Sequence, residues 1–238
     1  DGSYTAVFTI ATPPTQTFVS TESDTPAFFC AVSAPLAAKV LTDMDKPDMN
    51  ATGTSNAIPV SEIIDFAQAT TPAKKYGLIY SGNEDNATNT IKQVEEYLKK
   101  IGVEYVEKTA PTAADVENAT NALIAEKVDA VFVPNDSIIQ DGVSKLTEIC
   151  NEKKIPTYCS AATTVASGLF ATLAIDDKGI GKKTVDIAMD YVNGKEVADI
   201  PAQVVGIDYC SVNKSAMKTL GISQDNIKTD YKLNVIEN

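Results

Sequence analysis

Short apolar runs that are rich in β-branched residues alternate along the chain with longer polar stretches whose apolar residues recur at helical spacing. Residues 84–101 place Ile91, Val94 and Leu98 at i, i+3 and i+7, and residues 114–127 carry a second stripe of this kind, so each predicts an amphipathic helix. Several apolar runs are continuous, as expected of strands covered on both faces. The predicted strands are 6–11, 27–32, 76–80, 103–106, 130–133, 156–159, 169–175 and 202–207.

The order strand, helix, strand predicts βαβ units, a parallel sheet and an α/β fold class. Gly102 stands where a helix C-cap is expected, and Asn83 and Thr112 stand where a helix needs a side-chain N-cap.

The number of predicted strands and helices indicates two lobes. Residues 74–176 hold enough strands and helices for one complete open-sheet lobe. The other lobe must then be discontinuous, formed by residues 1–73 plus 177–238, with a covering helix at 177–193. The chain would cross between the lobes several times, which implies a hinge. Residues 46–59 are polar and rich in turn formers, so they are predicted to be a long connection.

Composition excludes several classes of function. The chain has 32 acidic and 20 basic residues. All the basic residues are lysine, and the chain has no arginine, histidine or tryptophan. Histidine-based catalysis and bidentate arginine recognition of anions are therefore absent. A net charge of −12 disfavours nucleic acid as a partner. We expect a protein that is not an enzyme and needs no cofactor; a carboxylate enzyme using Lys74 or Lys178 is the weaker alternative.

Metal and disulfide chemistry have little support in the sequence. Neither a CxxC spacing nor a histidine is present to complete a zinc site, and the acidic pair Asp176 and Asp177 is typical of a solvated helix start. No metal site is predicted. Four cysteines allow three disulfide pairings, and nothing selects one of them or excludes free thiols; they are Cys30, Cys150, Cys159 and Cys210.

Polar residues follow the predicted strands, where ligands bind in open α/β sheets. They are hydroxyl, amide and carboxylate in type, without lysine. Helix N-termini with hydroxyls from Thr12, Thr15 and Ser81 can hold a carboxylate, and Glu84 or Asp136 can hold an ammonium group, so together they predict a site for a zwitterion. The same residue types also cap helices, which is the plainer interpretation of each one alone. The candidates are Thr12, Thr15, Gln16, Ser33, Ser81, Asn83, Glu84, Asn86, Asn135, Asp136, Ser137 and Ser160.

Eight segments between residues 4 and 222 share one further feature, which is their likeness, in the same order, to segments of a known family. They are FTIATPPTQT, TPAFFCAVSAPLAAKV, NATGTSNAIPVSEIIDFAQ, KKYGLIYSGNEDNATNTIKQVEEYLKKIGVEYVE, KVDAVFVPNDSII, KKIPTYCSA, GLFATLAID and IPAQVVGIDYCSVNKSAMKTLGI. On these segments the chain resembles the substrate-binding proteins of bacterial ABC transporters, in the branch associated with the aromatic amino acids tryptophan and tyrosine.

This resemblance implies two Rossmann-like lobes of the type I periplasmic-binding-protein class, which close on a small ligand such as an amino acid. It further implies a membrane permease as partner and a location outside the cytoplasmic membrane, periplasmic or lipid-anchored. It places ligand contacts on the Thr12–Pro13 turn, on the turn after the strand that ends at Tyr80, and on Asp136. A ligand-sensing module of a receptor or regulator with the same fold is the alternative function.

Two departures from the family pattern stand out. Ala34 occupies the place where members commonly carry an aspartate before proline. Members also usually begin with about two further βα units, some sixty residues, so the resemblance implies an incomplete first lobe. Such a lobe would expose strand edges, and we therefore expect dimerisation or strand exchange.

Overall fold

The computed structural model describes residues 3–237. Their contacts divide the chain into two compact units. Unit 1 is formed by the chain up to Ala57 and by Ile175–Ile207, and unit 2 by Ile58–Ala174 and the chain from Asp208 onward. Each unit holds one sheet with helices packed on it, so the predicted α/β class is confirmed.

The strands are β1 (Val7–Ile10), β2 (Ala27–Cys30), β3 (Ala51–Ser55), β4 (Lys75–Tyr80), β5 (Glu104–Thr109), β6 (Ala130–Val133), β7 (Thr157–Cys159), β8 (Ala171–Ala174), β9 (Gln203–Val204), β10 (Tyr209–Asn213) and β11 (Lys232–Ile236). The α-helices are α1 (Thr12–Val19), α2 (Val60–Thr70), α3 (Asp85–Ile101), α4 (Val116–Ala125), α5 (Ser137–Asp141), α6 (Val143–Glu152), α7 (Ala162–Ala166), α8 (Asp177–Val192) and α9 (Lys214–Leu220). Short 3₁₀ turns lie at Ala113–Asp115, Val197–Asp199 and Gln224–Asn226.

Unit 1 contains a four-stranded sheet in the order β1-β2-β3-β9, and every pair in it is parallel. The alternation along β2 divides its aromatic residues between the two faces. Phe28 packs against Ile187 of α8, whereas Phe29 packs with Val19 of α1. Helix α8 therefore covers one face of the sheet and α1 lies on the other.

Unit 2 contains a seven-stranded sheet in the order β11-β10-β8-β7-β6-β4-β5. Strands β4 to β8, which the sequence predicted, are parallel as expected, whereas β10, which it did not predict, runs antiparallel to β8. Along β6, Val131 and Val133 join the apolar core that also contains Leu123 of α4 and Leu146 of α6. Phe132 is fully buried, as expected for a core residue.

The predicted lobe boundaries differ from the observed units. Residues 58–73 and 208–238 were placed in the first lobe, but α2 packs on β7 and β8, and β10 pairs with β8, so both segments belong to unit 2. Residues 46–59 were predicted to be a long connection, but strand β3 lies within them, so this prediction is wrong. Strand β9 keeps only two of the predicted residues 202–207.

All four cysteines are free thiols. Cys150, Cys159 and Cys210 are buried, and burial raises the pKa of their thiols to about 12, about 11 and about 12. Cys30 is half-buried at the end of β2. Of the four thiols, only that of Cys30 is accessible to a reagent from solution.

We predict that Ellman's reagent labels one thiol per native chain within minutes and four after unfolding. The reactive thiol is Cys30, so Cys30→Ser removes the rapid phase. Two or more rapidly labelled thiols in the native protein would contradict the described burial.

Gly53 of β3 is required by a close approach of two backbones. A Cβ atom built there would lie 1.9 Å from the carbonyl oxygen of Phe29. We expect Gly53→Ala to lower the free energy of unfolding by about 3 kcal/mol or more, because a backbone carbonyl in a central strand cannot move aside cheaply.

Gly181→Ala is the matched control in the same unit, because nothing lies within 4 Å of the added carbon and the site is helical. It should leave stability unchanged or raise it by up to about 1 kcal/mol. If urea unfolding showed the same loss in free energy of unfolding for Gly53→Ala and Gly181→Ala, the packing argument for Gly53 would be contradicted.

Candidate functional site

The polar residues predicted for unit 2 lie at the carboxyl ends of three neighbouring parallel strands, β7, β6 and β4. We call this region the rim of unit 2; it comprises residues 81–86, 134–137 and 160–161. Hydrogen bonds join the three turns across the sheet. Because such ends meet at one edge of a parallel sheet, the sequence correctly brought these residues together.

Asp136 is the central residue of this rim and is fully buried. One carboxylate oxygen accepts the backbone N–H of Ser81 at 2.7 Å, and the other accepts those of Ile138 and Ile139 at 3.1 and 3.2 Å. The side chain thus caps α5 and ties the turn after β4 to the turn after β6. A carboxylate that is buried and occupied in this way is a structural group, which disfavours it as the ammonium partner.

Glu84 is half-buried at the N-cap position of α3. Its Oε1 atom accepts both the backbone N–H of Ser137, at 3.0 Å, and the Ser137 hydroxyl. No hydrogen bond to Oε2 is found within residues 3–237. Glu84 therefore keeps one carboxylate oxygen for a further donor.

The serine and asparagine side chains of the rim mostly bind neighbouring turns. Ser81 is buried, and its hydroxyl accepts the backbone N–H of Asn83 at 3.1 Å. The exposed Asn83 donates to the carbonyl of Pro111 at 3.1 Å. Asn86 is buried and donates to the carbonyl of Asn135 at 2.7 Å, while its Oδ1 atom has no partner among the described residues.

The turn after β7 is fixed to the turn after β6 through Ser160, whose hydroxyl accepts the backbone N–H of Asn135 at 2.8 Å. The amide oxygen of Asn135 is occupied by the side chain of Gln140, also at 2.8 Å. Ser137 is exposed and Ser160 half-exposed, so their hydroxyls lie at the surface of the rim.

In unit 1 the predicted residues follow β1 and β2, which are parallel neighbours. Thr15 is fully buried, with its hydroxyl 2.7 Å from the Ala11 carbonyl and 2.9 Å from the Thr9 hydroxyl, so it serves the interior of the unit. Thr12 begins α1, is buried, and has no side-chain hydrogen bond among the described residues.

The N-terminus of α1 offers fewer donors than the sequence predicted. Pro13 and Pro14 fill the second and third positions of the helix and have no N–H group. Of the first-turn amides, only that of Thr12 is left for a ligand, so the expectation of a bare helix N-terminus for a carboxylate is wrong at this strand end.

Gln16 and Ser33 are half-buried and bound within unit 1. Gln16 donates to the carbonyl of Ala38 at 2.9 Å, and Ser33 donates to Oδ1 of Asn56 at 3.0 Å. Asn56 follows β3 and thus belongs to the same strand edge. Sequence reasoning missed it, although in the preceding ATGTS segment threonine alternates with small residues in a strand-like way.

Two alanines with a left-handed backbone follow β1 and β2 directly. Ala11 has φ of 70° and Ala31 has φ of 58°. A non-glycine residue in this region costs about 1 kcal/mol or more, and such strain is concentrated at functional sites. Both turn the chain sharply where β1 and β2 end, an arrangement that no residue-type pattern in the sequence could reveal.

Within residues 3–237 no cluster of three or more histidine, cysteine or acidic side chains is positioned to hold a metal ion. Nor does any helix in this range combine the length and apolar character needed to cross a membrane.

The model of the family described as ABC transporter substrate binding protein matches residues 1–230. The chain belongs to this family. Its members are substrate-binding proteins rather than a class of enzymes, in agreement with the resemblance read from the sequence.

Named relatives are consistent with this assignment. A tyrosine-binding protein from Clostridioides difficile is 32% identical over 226 residues, which are 93% of this chain and 65% of that protein. The chain therefore spans just under two thirds of this curated relative.

Two solved structures share the fold closely. A conserved domain protein from Vibrio cholerae matches with a TM-score of 0.88 and 30% identity, and an ABC domain from Streptococcus pneumoniae in complex with L-Trp matches with a TM-score of 0.88 and 28% identity. Each match covers 98% of this chain and 80% of the other. The predicted type I periplasmic-binding-protein fold is thereby confirmed.

We expect Asp136→Ala to lower the free energy of unfolding by about 3 kcal/mol, because three buried or capping N–H groups lose their acceptor. Asp136→Asn should cost less, since one amide oxygen can still accept from the α5 amides. Urea unfolding followed by circular dichroism measures both.

Glu84→Gln is the control at the same rim, because its amide oxygen can still accept from Ser137. It should cost less than about 1 kcal/mol. If Asp136→Ala lowered the free energy of unfolding no more than Glu84→Gln does, the structural role assigned to Asp136 would be contradicted.

Proposed function

We propose that this protein is the solute-binding component of an ABC importer and that its ligand is an aromatic amino acid. Family membership supports the importer component. The aromatic amino acid is supported by what two relatives bind, tyrosine in one name and L-Trp in one solved complex. The sensor alternative shares the fold but has no such support.

We infer the class of ligand from the hydrogen bonding of the two rim carboxylates, Asp136 and Glu84. Asp136 is saturated by three backbone N–H groups, whereas Glu84 has an oxygen left for another donor. With no arginine or histidine in the chain, and no lysine among the candidate residues, this rim suits a cationic group rather than an anionic one. We assign the ligand ammonium to Glu84.

The ligand carboxylate needs neutral donors, because the candidate residues include no cation. In unit 1 the Thr12 hydroxyl and its amide are the available pair, since Thr15 is used internally and the prolines lack N–H groups. In unit 2 the Ser160 hydroxyl accepts from Asn135 and still has its proton for an acceptor, whereas the Ser137 hydroxyl is already donated to Glu84. We assign the ligand carboxylate to neutral hydroxyl and amide donors of this kind rather than to a cation.

A membrane permease is the partner that this function requires, and it places the protein outside the cytoplasmic membrane. Lipid anchoring is one way to keep it there. Cofactor chemistry has no part in the proposal, because the ligand is bound and released unchanged.

Isothermal titration calorimetry with L-Trp, L-Tyr and L-Phe tests the ligand class. We expect at least one of them to bind, and we expect Glu84→Gln to weaken that binding by about 10- to 100-fold, because a hydrogen bond to a charged group is worth about 1.5 to 3 kcal/mol. Binding of a sugar or peptide, with no amino acid bound, would refute the proposed class.

Two controls make the assignment of Glu84 specific. Glu96→Gln removes the same charge from an exposed position of the same helix and should leave affinity unchanged. The analogue that lacks the amino group should bind Glu84→Gln and the parent equally. An equal loss for the analogue would place Glu84 away from the ammonium.

A further inference from the structure

The carboxylate of Glu84 is held by two donors that belong to one residue, Ser137. The backbone N–H of Ser137 lies 3.0 Å from Oε1 of Glu84, and the Ser137 hydroxyl donates to the same oxygen. A carboxylate oxygen has two lone pairs, so Ser137 fills Oε1. Within residues 3–237 the other oxygen, Oε2, accepts no hydrogen bond. The carboxylate therefore has one occupied oxygen and one free oxygen.

The position of Ser137 is itself fixed by the start of α5. Ser137 is the first residue of this helix and follows its N-cap, Asp136. The Asp136 carboxylate accepts the N–H groups of Ile138 and Ile139. The carbonyl oxygen of Asp136 accepts the N–H group of Gln140 at 3.0 Å. These three amides are used inside α5, so the amide of Ser137 is the one in the first turn that is directed to another helix, α3.

A separate hydrogen bond fixes the backbone beside Glu84. Asn86, two residues further into α3, is buried and donates to the carbonyl of Asn135 at 2.7 Å. The first turn of α3 is therefore anchored to the turn after β6 without help from Ser137. Ser137 acts instead on the side chain of Glu84, whose torsions would otherwise sample several rotamers at this half-buried position.

The occupied oxygen limits the kind of cation that Glu84 can accept. A guanidinium group pairs with a carboxylate through two parallel N–H donors, one to each oxygen. Oε1 has no lone pair left for such a fork, whereas Oε2 alone is enough for one N–H of an ammonium group. The arrangement therefore favours an ammonium group over a planar cation, and the accepting oxygen is in place before the ligand arrives.

We propose that Ser137 is the positioning residue for the ligand ammonium group: it holds the Glu84 carboxylate by Oε1 so that Oε2 is presented to the ligand. This inference rests on the proposed function, in which Glu84 binds the ammonium group of an amino acid. Ser137 thus has a different role from the ligand contact expected from the sequence, because its proton is already donated to Glu84. Holding an acceptor in its bound orientation raises affinity, because the entropy cost of ordering it does not fall on the binding step.

The variant Ser137→Pro removes both donors at once. Proline has no N–H group and no hydroxyl, and it is favoured at the first position of a helix. The preceding residue, Asp136, has φ of −144° and ψ of 116°, which a residue before proline can adopt. We therefore expect Ser137→Pro to keep the start of α5 and to release the side chain of Glu84.

Isothermal titration calorimetry, with whichever of L-Trp, L-Tyr and L-Phe binds the parent best, measures the effect on affinity. Ser137→Ala removes the hydroxyl alone and should raise the dissociation constant about 2- to 10-fold, the equivalent of ordering one flexible side chain. Ser137→Pro should raise it further. Ser137→Thr keeps both donors and should lose less affinity than Ser137→Ala.

Two comparisons separate positioning from a general loss of structure. Ser144 is exposed on α6, and its side chain makes no hydrogen bond within the described residues, so Ser144→Ala should leave affinity unchanged. In a Glu84→Ala background there is no carboxylate to position, so Ser137→Pro should cause no further loss. An undiminished further loss in that background would overturn the proposal, because Ser137 would then act without Glu84.

Hydrogen exchange of the Ser137 amide, followed by NMR, tests the hydrogen bond without a ligand. An amide at the first position of a helix has no partner inside the helix and is ordinarily unprotected. With Glu84 as its acceptor, this amide should exchange at least about tenfold more slowly in the parent than in Glu84→Ala. Equal exchange rates in the two proteins would overturn the proposal.

The role of Ser137 and the proposed function fail in different ways. If an amino acid binds the parent and Glu84→Gln weakens it, but Ser137→Pro binds as tightly as the parent, then the positioning role is wrong and the proposed function stands. If no amino acid binds the parent, the proposed function is wrong, and the role assigned to Ser137 fails with it even where its amide exchanges slowly.

Discussion

The buried carboxylate of Asp136 holds the rim of unit 2 together. It gathers three backbone N–H groups, one from the turn after β4 and two from the start of α5, in a place with no access to water. A buried charge is tolerated only when its hydrogen-bonding capacity is met, and here backbone amides meet it without any cation. This group fixes the relative positions of the β4 and β6 turns, which the Glu84–Ser137 and Asn86–Asn135 hydrogen bonds join further out.

In unit 1 the turns at the strand ends are shaped by backbone conformation rather than by a buried carboxylate. Two left-handed alanines, Ala11 and Ala31, turn the chain where β1 and β2 end, and two prolines shape the first turn of α1. The buried Thr15 hydroxyl donates to the Ala11 carbonyl at 2.7 Å, and the two prolines restrict the backbone that follows. Thus one unit fixes its rim with a side chain and the other with its backbone, although both place polar groups at the carboxyl ends of parallel strands.

The sequence predicted the elements whose hydrophobic period is strong. Helix α3 and its cap at Gly102, and the buried strands β4 and β6, follow directly from apolar spacing. Strand β3 was missed because ATGTS is buried through small and hydroxyl side chains, and Thr52 and Thr54 satisfy their hydroxyls inside the unit. The unit boundaries were missed because the pairing of β10 with β8 is a long-range contact.

The candidate residues were located correctly as strand-end residues, but their individual roles needed coordinates. Composition cannot tell a carboxylate that is saturated by amides, such as Asp136, from one with a spare oxygen, such as Glu84. Residue type alone also cannot show that Thr15 faces inward, while the hydroxyl of Thr12, three positions earlier, has no partner among residues 3–237. Whether a polar group is already satisfied is a property of the packed structure.

The discontinuous composition of unit 1 has a consequence for the order of assembly. The Thr52 hydroxyl donates to the carbonyl of Ile200, 148 residues away, and α8 cannot cover Phe28 until the whole central part of unit 2 has been synthesised. Unit 2, whose strands β4 to β8 are consecutive, can collapse through shorter loops. The sheet of unit 1 therefore stays incomplete until β9 is made, after strands β4 to β8 of unit 2 have already left the ribosome.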